Sequence, residues 1–284
     1  MAFKIPVENR VSTYPGRITL KPVSGQTNVY DMERSDMPIV EGTPINKLLF
    51  DSKADALKEN VTVYVSISGD DIGGDGSVDA PFATIQTAID ALPKNLNGFN
   101  ALIDIEAGTY EERVSIVGFT GGKLTVGVAG RSTVIRGLNI YNSKIVELNI
   151  SNVTWASGFS GTLVYCGYGS EVFQAAGMTV RCEGSTEVGL GVTFGSSYVA
   201  TQGIITTVLN CARTAILATM GSRITLSTVT GSGNTAVGLL AERGALLSYE
   251  SANLLSTSGN VSRIGGRILS GSDSSTDLVG ASVE

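Results

Sequence analysis

The chain has 284 residues, 42% of them hydrophobic and 16% charged, with 35 glycines, no histidine and a net charge of -6. No basic run is present, so the electrostatic footprint of a nucleic-acid binder is missing. Without histidine the chain cannot itself supply a Ser-His-Asp or Cys-His nucleophile or an imidazole zinc site.

Residues 1–60 are comparatively charged and hold Pro6, Pro15, Pro22, Pro38 and Pro44. The opening MAFKIPVENR has no apolar core of the secretory kind, so no signal peptide is expected. A short helix is predicted near the end of this region, where Thr43 can cap it, Pro44 suits its first turn, and Ile45, Leu48 and Leu49 form an apolar stripe.

Residues 61–94 read as strand, loop and helix. VTVYVSIS is the strand and GDDIGGDG a tight loop. The stretch APFATIQTAIDALP predicts a helix capped by Thr84 and ended by Pro93, with Phe82, Ile85, Ile89 and Leu92 on its apolar side. Placed just before a stack of strands, such a helix is expected to cover the open end of the first coil.

From residue 95 to 284 short β-type stretches follow one another. In ALIDIE, Ile103 and Ile105 fall on one face, and Leu102, Asp104 and Glu106 on the other. Further on, the chain repeats a joint in which a strand-like run ends in Gly followed by Ser or Ala. The joints are Gly169-Ser170, Gly195-Ser196, Gly221-Ser222, Gly244-Ala245 and Gly271-Ser272, at spacings of 26, 26, 23 and 27 residues. A unit of this length with period-two alternation buries its inner face only by stacking on copies of itself. The predicted fold is therefore all-β, a right-handed parallel β-helix running as a shaft from residue 95 to 284.

Val188 to Ala212 carries no charge, but Gly189, Gly191, Ser196, Ser197, Thr201, Gln202 and Asn210 break it up, so it reads as two neighbouring coils and not as a membrane span. It is expected to be buried in the stack and against partner chains. Cys166, Cys182 and Cys211 are odd in number and lack metal-ligand spacing, and are expected to be inert buried thiols. Asn-X-Ser/Thr triplets at Asn60, Asn149, Asn152 and Asn260 follow from the richness in Ser and Thr.

The run from Tyr64 to Leu92, continuing into IDIEAGTYEERVSI, resembles the opening segment of pectate-lyase-like right-handed β-helices of bacteriophage tailspikes and tail fibres. The residues before it, IPVENRVSTYPGRITLKPVSGQTNVYDMERSD through EGTPINKLLFDSKAD, look like the N-terminal segment of tail-associated proteins of phages and prophages of Gram-positive bacteria. The resemblance covers roughly the first 120 residues; the later coils match in style and not by motif. It implies a homotrimer, attachment to phage tail or baseplate proteins through residues 1–60, contact with bacterial surface polysaccharide and a place in the virion tail. The family's catalytic basic residue and calcium carboxylates do not map onto this sequence, and the coils from Gly161 to Gly271 supply no dense acidic cluster.

What chemistry remains is carboxylate chemistry, as in glycoside hydrolysis by paired acids or calcium-assisted elimination. The candidate pairs are Asp104 with Glu106, Glu111 with Glu112, and Glu183 with Glu187; the first shares a strand face. In GDDIGGDG, Asp71, Asp75 and Gly76 stand where a calcium loop would have them. Gly73 replaces a needed oxygen ligand, and Phe82 stands where a bidentate Glu is required. No cofactor is expected. Trp155, Tyr165 and Tyr198, with Tyr168, are the candidates for stacking on sugar. The reading is a structural and receptor-binding rod of a phage-like tail, with a polysaccharide depolymerase on the same fold as the alternative and a bacterial adhesin as a third.

Overall fold

The computed structural model describes residues 11–12, 18–22, 30–34, 38–40, 56–155, 161–182, 188–200, 202–234, 237–256, 260–270 and 281–282. The chain divides into two units, residues 1–47 and residues 48–284. In the first, β1 (Val11–Ser12) pairs antiparallel with β4 (Pro38–Val40), and β2 (Ile18–Pro22) with β3 (Tyr30–Arg34), Leu20 lying opposite Met32. The predicted helix at Thr43 to Leu49 lies outside the described residues.

The second unit is a parallel β-solenoid. Its strands are β5 (Val61–Val65), β6 (Asn100–Ile105), β7 (Gly108–Val117), β8 (Lys123–Val126), β9 (Thr133–Tyr141), β10 (Val146–Leu148), β11 (Asn152–Trp155), β12 (Thr162–Gly167), β13 (Glu171–Gln174) and β14 (Met178–Cys182). They continue as β15 (Val188–Val192), β16 (Ser197–Ala200), β17 (Ile205–Leu209), β18 (Thr214–Ala218), β19 (Arg223–Asn234), β20 (Val237–Glu242), β21 (Leu246–Ser256), β22 (Asn260–Arg263), β23 (Arg267–Ser270) and β24 (Ala281–Ser282).

Parallel pairing sorts these strands into faces. One stacks β5, β6, β8, β10, β13, β16, β19, β21 and β23. A second runs β9, β11, β14, β17 and the later halves of β19 and β21. A third runs β7, β9, β12, β15, β18, β20, β22 and β24. Strand β9 serves two faces, and β19 and β21 likewise bend from one face to another within a single strand.

Alternation puts the core inside. On the first face Ala101, Leu124, Val146, Val172, Tyr198, Ile224, Leu247 and Ile268 form one inward column, and all are buried. Ile103 and Ile105 point inward while Leu102 and Asp104 are partly exposed, as the alternation in ALIDIE requires. Burial along β15 is continuous because Gly191 lies under the Thr162 side chain and Gly189 faces buried side chains. A Cβ on Gly189 would stand 2.6 Å from Val208 and 2.9 Å from the Cys211 sulfur, so only glycine fits. The uncharged run from Val188 to Ala212 thus turns most of its apolar groups inward, with Leu190, Val192, Tyr198 and Val208 fully covered by the chain itself. The reason is alternation within one chain, so the absence of charge does not by itself call for a partner.

The helix α1 (Ile85–Ala91) follows its N-cap Thr84 and ends before Pro93. It packs on β5, β6 and β7, and Ile85, Ile89 and Leu92 are buried. Closing the first turn is shared work. The free backbone edge of β5 is met by the loop before the helix: the Tyr64 N–H donates to Gly76 O (2.8 Å), the Phe82 N–H to Tyr64 O (3.0 Å) and the Ser66 N–H to Phe82 O (2.9 Å). An unpaired edge is thereby satisfied by loop backbone, while the helix covers apolar side chains. The stack also begins earlier than residue 61, since Ala56 bridges Asn95 and the Leu57 N–H donates to Asn95 O.

The glycine joints are corners. Tyr168-Gly169, Phe194-Gly195, Met220-Gly221, Arg243-Gly244 and Ile264-Gly265 each place two successive residues at positive φ. A joint follows Gly244 at Ile264-Gly265, 21 residues on, and the predicted joint Gly271-Ser272 lies outside the described residues. Earlier corners turn at Gly118 and Asn142, asparagine being the other residue that tolerates this conformation. Buried serines next to these corners are chained from turn to turn. The Phe119 N–H donates to Ser143 Oγ (3.2 Å), the Ser143 N–H to Ser170 Oγ (3.2 Å), and the Ser170 N–H to Ser196 Oγ (3.1 Å).

Cys182 and Cys211 are joined by a disulfide with Cα atoms 5.1 Å apart, whereas Cys166 is a free buried thiol. The expectation of three inert thiols is corrected for that pair. Arg181 stands opposite Leu209 in the register of β14 and β17, so the residues just beyond reach each other across adjacent turns.

Candidate functional site

Two acidic residues of the opening region, Asp71 and Glu112, converge on the start of the helix. Asp71 Oδ1 accepts the N–H groups of Ala83 (2.8 Å) and Thr84 (3.0 Å), and its Oδ2 accepts the Thr84 hydroxyl (2.8 Å). Glu112 Oε1 accepts the Ile85 N–H (2.7 Å) and Oε2 the Gln86 N–H (2.9 Å). The Thr87 N–H goes to Thr84 Oγ1 (3.2 Å). The donors at the start of the helix, which no helical carbonyl can serve, are thus taken by two carboxylates and a hydroxyl.

This places the proposed calcium loop in a different light. Asp71 spends both oxygens on the helix start, and Asp75 Oδ1 accepts the Ser77 N–H at 2.9 Å, a local turn. Asp70 likewise caps the Ile72 N–H, and backbone hydrogen bonds from Ile72 and Gly73 hold its carboxyl below the usual range. Among the described residues no group of three or more His, Cys, Asp or Glu side chains converges to hold a metal ion.

Glu111 and Glu112 do not act as a pair. The register of β7 against β9 shifts between Tyr110 and Arg113, and the two glutamates sit in that irregularity. Glu111 is held by Arg136, whose hydrogen bond keeps its carboxyl below the ordinary value. Glu112 faces the helix, and burial pushes its carboxyl up against the opposing pull of the Ile85 and Gln86 N–H groups. Asp104, facing outward on β6, and Glu106, just past its end, have separate partners: Arg131 binds Asp104, and Ser66 Oγ donates to Glu106. Glu183 and Glu187 lie outside the described residues.

The aromatic candidates separate in the same way. Tyr198 is wholly buried, its hydroxyl donating to Gln174 Oε1 (3.0 Å), which also accepts the Thr206 hydroxyl (2.8 Å). It cannot stack on a sugar, because the third residue after each joint glycine points inward, as Val172, Ile224, Leu247 and Ile268 do in their turns. Tyr165 is half-buried, its hydroxyl 2.6 Å from Thr193 Oγ1, and its ring lies 5.3 Å from Tyr141. Trp155 ends β11 and pairs with Cys182; its side chain lies outside the described residues.

What sequence reasoning missed is the column formed by the residues that precede the joint glycines. Tyr168 is 56% exposed and stacks on Phe194, 43% exposed, with ring centroids 4.8 Å apart and planes within 14°. Met220 and Ile264 hold the same position in later turns and are also exposed, and Arg243 stands between them. The signal was present as the residue preceding each joint glycine.

Beside this column runs a shallow groove lined by Gly195, Ser197, Gly221, Arg223, Gly244 and Leu246. Its floor is open because nothing stands within 4 Å of where a Cβ on Gly195, Gly221 or Gly244 would be. No helix among the described residues is long and apolar enough to cross a membrane. Comparison with protein-family models, with characterised proteins and with solved structures finds no match to this chain.

Proposed function

We propose that this chain is a structural and receptor-binding rod of a phage or phage-like tail, assembled as a homotrimer, joined to tail or baseplate proteins through residues 1–60, and touching bacterial surface glycan at repeated weak sites. The observation that carries the reading is the corner column, where Tyr168, Phe194 and Met220 in successive turns, and Ile264 two turns on, are held out to solvent on a stack of strands. Repetition of one exposed position along a rod, multiplied over three chains, raises avidity without any strong single contact. The acids support binding over hydrolysis, because Asp71, Asp104, Glu106, Glu111 and Glu112 are each engaged by backbone, serine or arginine.

The test uses the full chain with purified cell walls from a panel of Gram-positive bacteria. Co-sedimentation with at least one wall type is expected, with no new reducing ends or unsaturated sugars. Light scattering is expected to return about three times the 29.5 kDa chain mass. Failure to sediment with every wall overturns the receptor-binding reading, and sugar release that disappears in an Asp104→Asn, Glu106→Gln double variant replaces it with a depolymerase.

A further inference from the structure

We infer that Cys182 and Cys211 form a redox-operated staple: a crossbar between two stacked turns that is open as a dithiol where small thiols prevail and closed where a small-molecule disulfide is in excess. The device belongs to the stack whatever the rod binds.

Each cysteine is placed without help from its sulfur. Cys182 ends β14, whose backbone is paired with β11 through Trp155 and with β17 up to Leu209. The Cys211 N–H donates to Asn234 Oδ1 (3.0 Å) and Asn234 Nδ2 donates to Val208 O (3.1 Å), so one side chain of the next turn holds that loop from beyond. On the inner side Gly189 leaves the space that the Cys211 sulfur fills. Register and hydrogen bonding thus set the two Cα atoms 5.1 Å apart, within disulfide range. A bond between positions already fixed strengthens the fold without deciding it.

Cys166 is kept out of the exchange. It lies in β12, between Ile140 of β9 and Val192 of β15, on a different face from the pair. Burial holds its thiol protonated, pushed up to about 12. Closure runs in two exchanges. The thiolate of one cysteine attacks a sulfur of glutathione disulfide and expels one glutathione thiolate; the thiolate of the other then attacks the protein sulfur of that mixed disulfide and expels the second. Two protein thiols are oxidised to one disulfide, one glutathione disulfide is reduced to two thiols, and the two cysteine protons pass to the departing thiolates. Cys182 and Cys211 are both fully buried, so exchange in either direction waits for the turns to part. The bond ties together the turns that have to part. Opening is therefore rarer once it has closed, and the closed state persists against reductant.

The experiment prepares the full chain in dithiothreitol, then divides it between dithiothreitol and excess glutathione disulfide; thiols are alkylated in denaturant and counted by mass spectrometry. Three alkylated cysteines are expected in the first sample and one, Cys166, in the second, with a peptide pair joined through Cys182 and Cys211. Both samples are expected to give the same far-ultraviolet circular dichroism, and the oxidised one to melt on the order of 5–10 °C higher. That gap is expected to vanish in a Cys182→Ser, Cys211→Ser double variant and to persist in Cys166→Ser. Dithiothreitol is expected to cleave the bond about tenfold or more slowly in the folded chain than in denaturant. Three alkylated cysteines after oxidation, glutathione adducts in place of the internal bond, equal melting temperatures, or cleavage as fast as in denaturant overturns the staple. A dithiol chain that has lost its β-sheet signal shows the bond to be required for folding and overturns its role as a switch.

Discussion

Glu112 reaches 27 residues back along the chain to accept the Ile85 N–H at 2.7 Å, so the helix that closes the stack is capped by a strand of the stack itself. Its second oxygen takes the Gln86 N–H, which makes the contact a two-point clamp.

Removing the clamp leaves two half-buried backbone donors unserved. Glu112→Ala is therefore expected to lower stability by about 1–3 kcal/mol, and Asp71→Ala by a similar amount, because it strands the Ala83 and Thr84 donors. Denaturant melts of the two variants check this. Unchanged midpoints for both would show that water serves those donors equally well.

Ile89 is fully buried between the helix and the first turns. Ile89→Asp places an unpaired charge there and is expected to cost several kcal/mol, on the scale of about 2–5 for large core losses, with aggregation of the uncovered end. Size-exclusion chromatography after mild heating reads the outcome; a variant as soluble and heat-resistant as the parent would mean that the helix does not protect the end.

Tyr198→Phe separates packing from recognition. The ring stays, but Gln174 Oε1 keeps only the Thr206 hydroxyl, so a stability loss of about 1 kcal/mol is expected with no change in glycan or cell-wall binding. Loss of binding at full stability would contradict the buried placement.

Alkaline pH is expected to weaken the fold. Burial raises the Tyr110 phenol from 10.0 to about 12, aided by the neighbouring Glu106, and raises the Cys166 thiol from 9.0 to about 12. Burial pushes the Tyr198 phenol up as well. Between the unfolded and folded values the native chain holds more protons than the unfolded one. Stability is therefore full below about pH 9 and falls as pH rises toward 12. Melting temperatures in steps from pH 8 to 11 measure it, and Tyr110→Phe together with Cys166→Ser is expected to flatten the decline.

The alternation in ALIDIE, the Thr84 cap and the recurring glycine corners were legible because each is a local signal of two to four residues. The corner at Gly265 was not, since there a second glycine, Gly266, takes the place of the serine or alanine that marks the other joints. Glu112 read as one member of an acidic pair because its partners are 26 and 27 residues away, and the bulge that parts it from Glu111 exists only in the pairing with β9. The disulfide was hidden for the same reason: Cys182 and Cys211, 29 residues apart, become neighbours only once the register of β14 and β17 is set. Tyr198 could have been placed inward from its offset to Gly195, had the corner been taken as the origin for counting.

The chained serines at 143, 170 and 196 set a rule for how this molecule can change length. Each backbone N–H at the corner finds its acceptor one turn ahead, so a segment gained or lost keeps every donor matched only if it begins and ends at the same corner. Shaft length is quantised. Descendants of this sequence can grow taller or shorter by whole storeys while the cross-section, and any surface built on it, stays as it was.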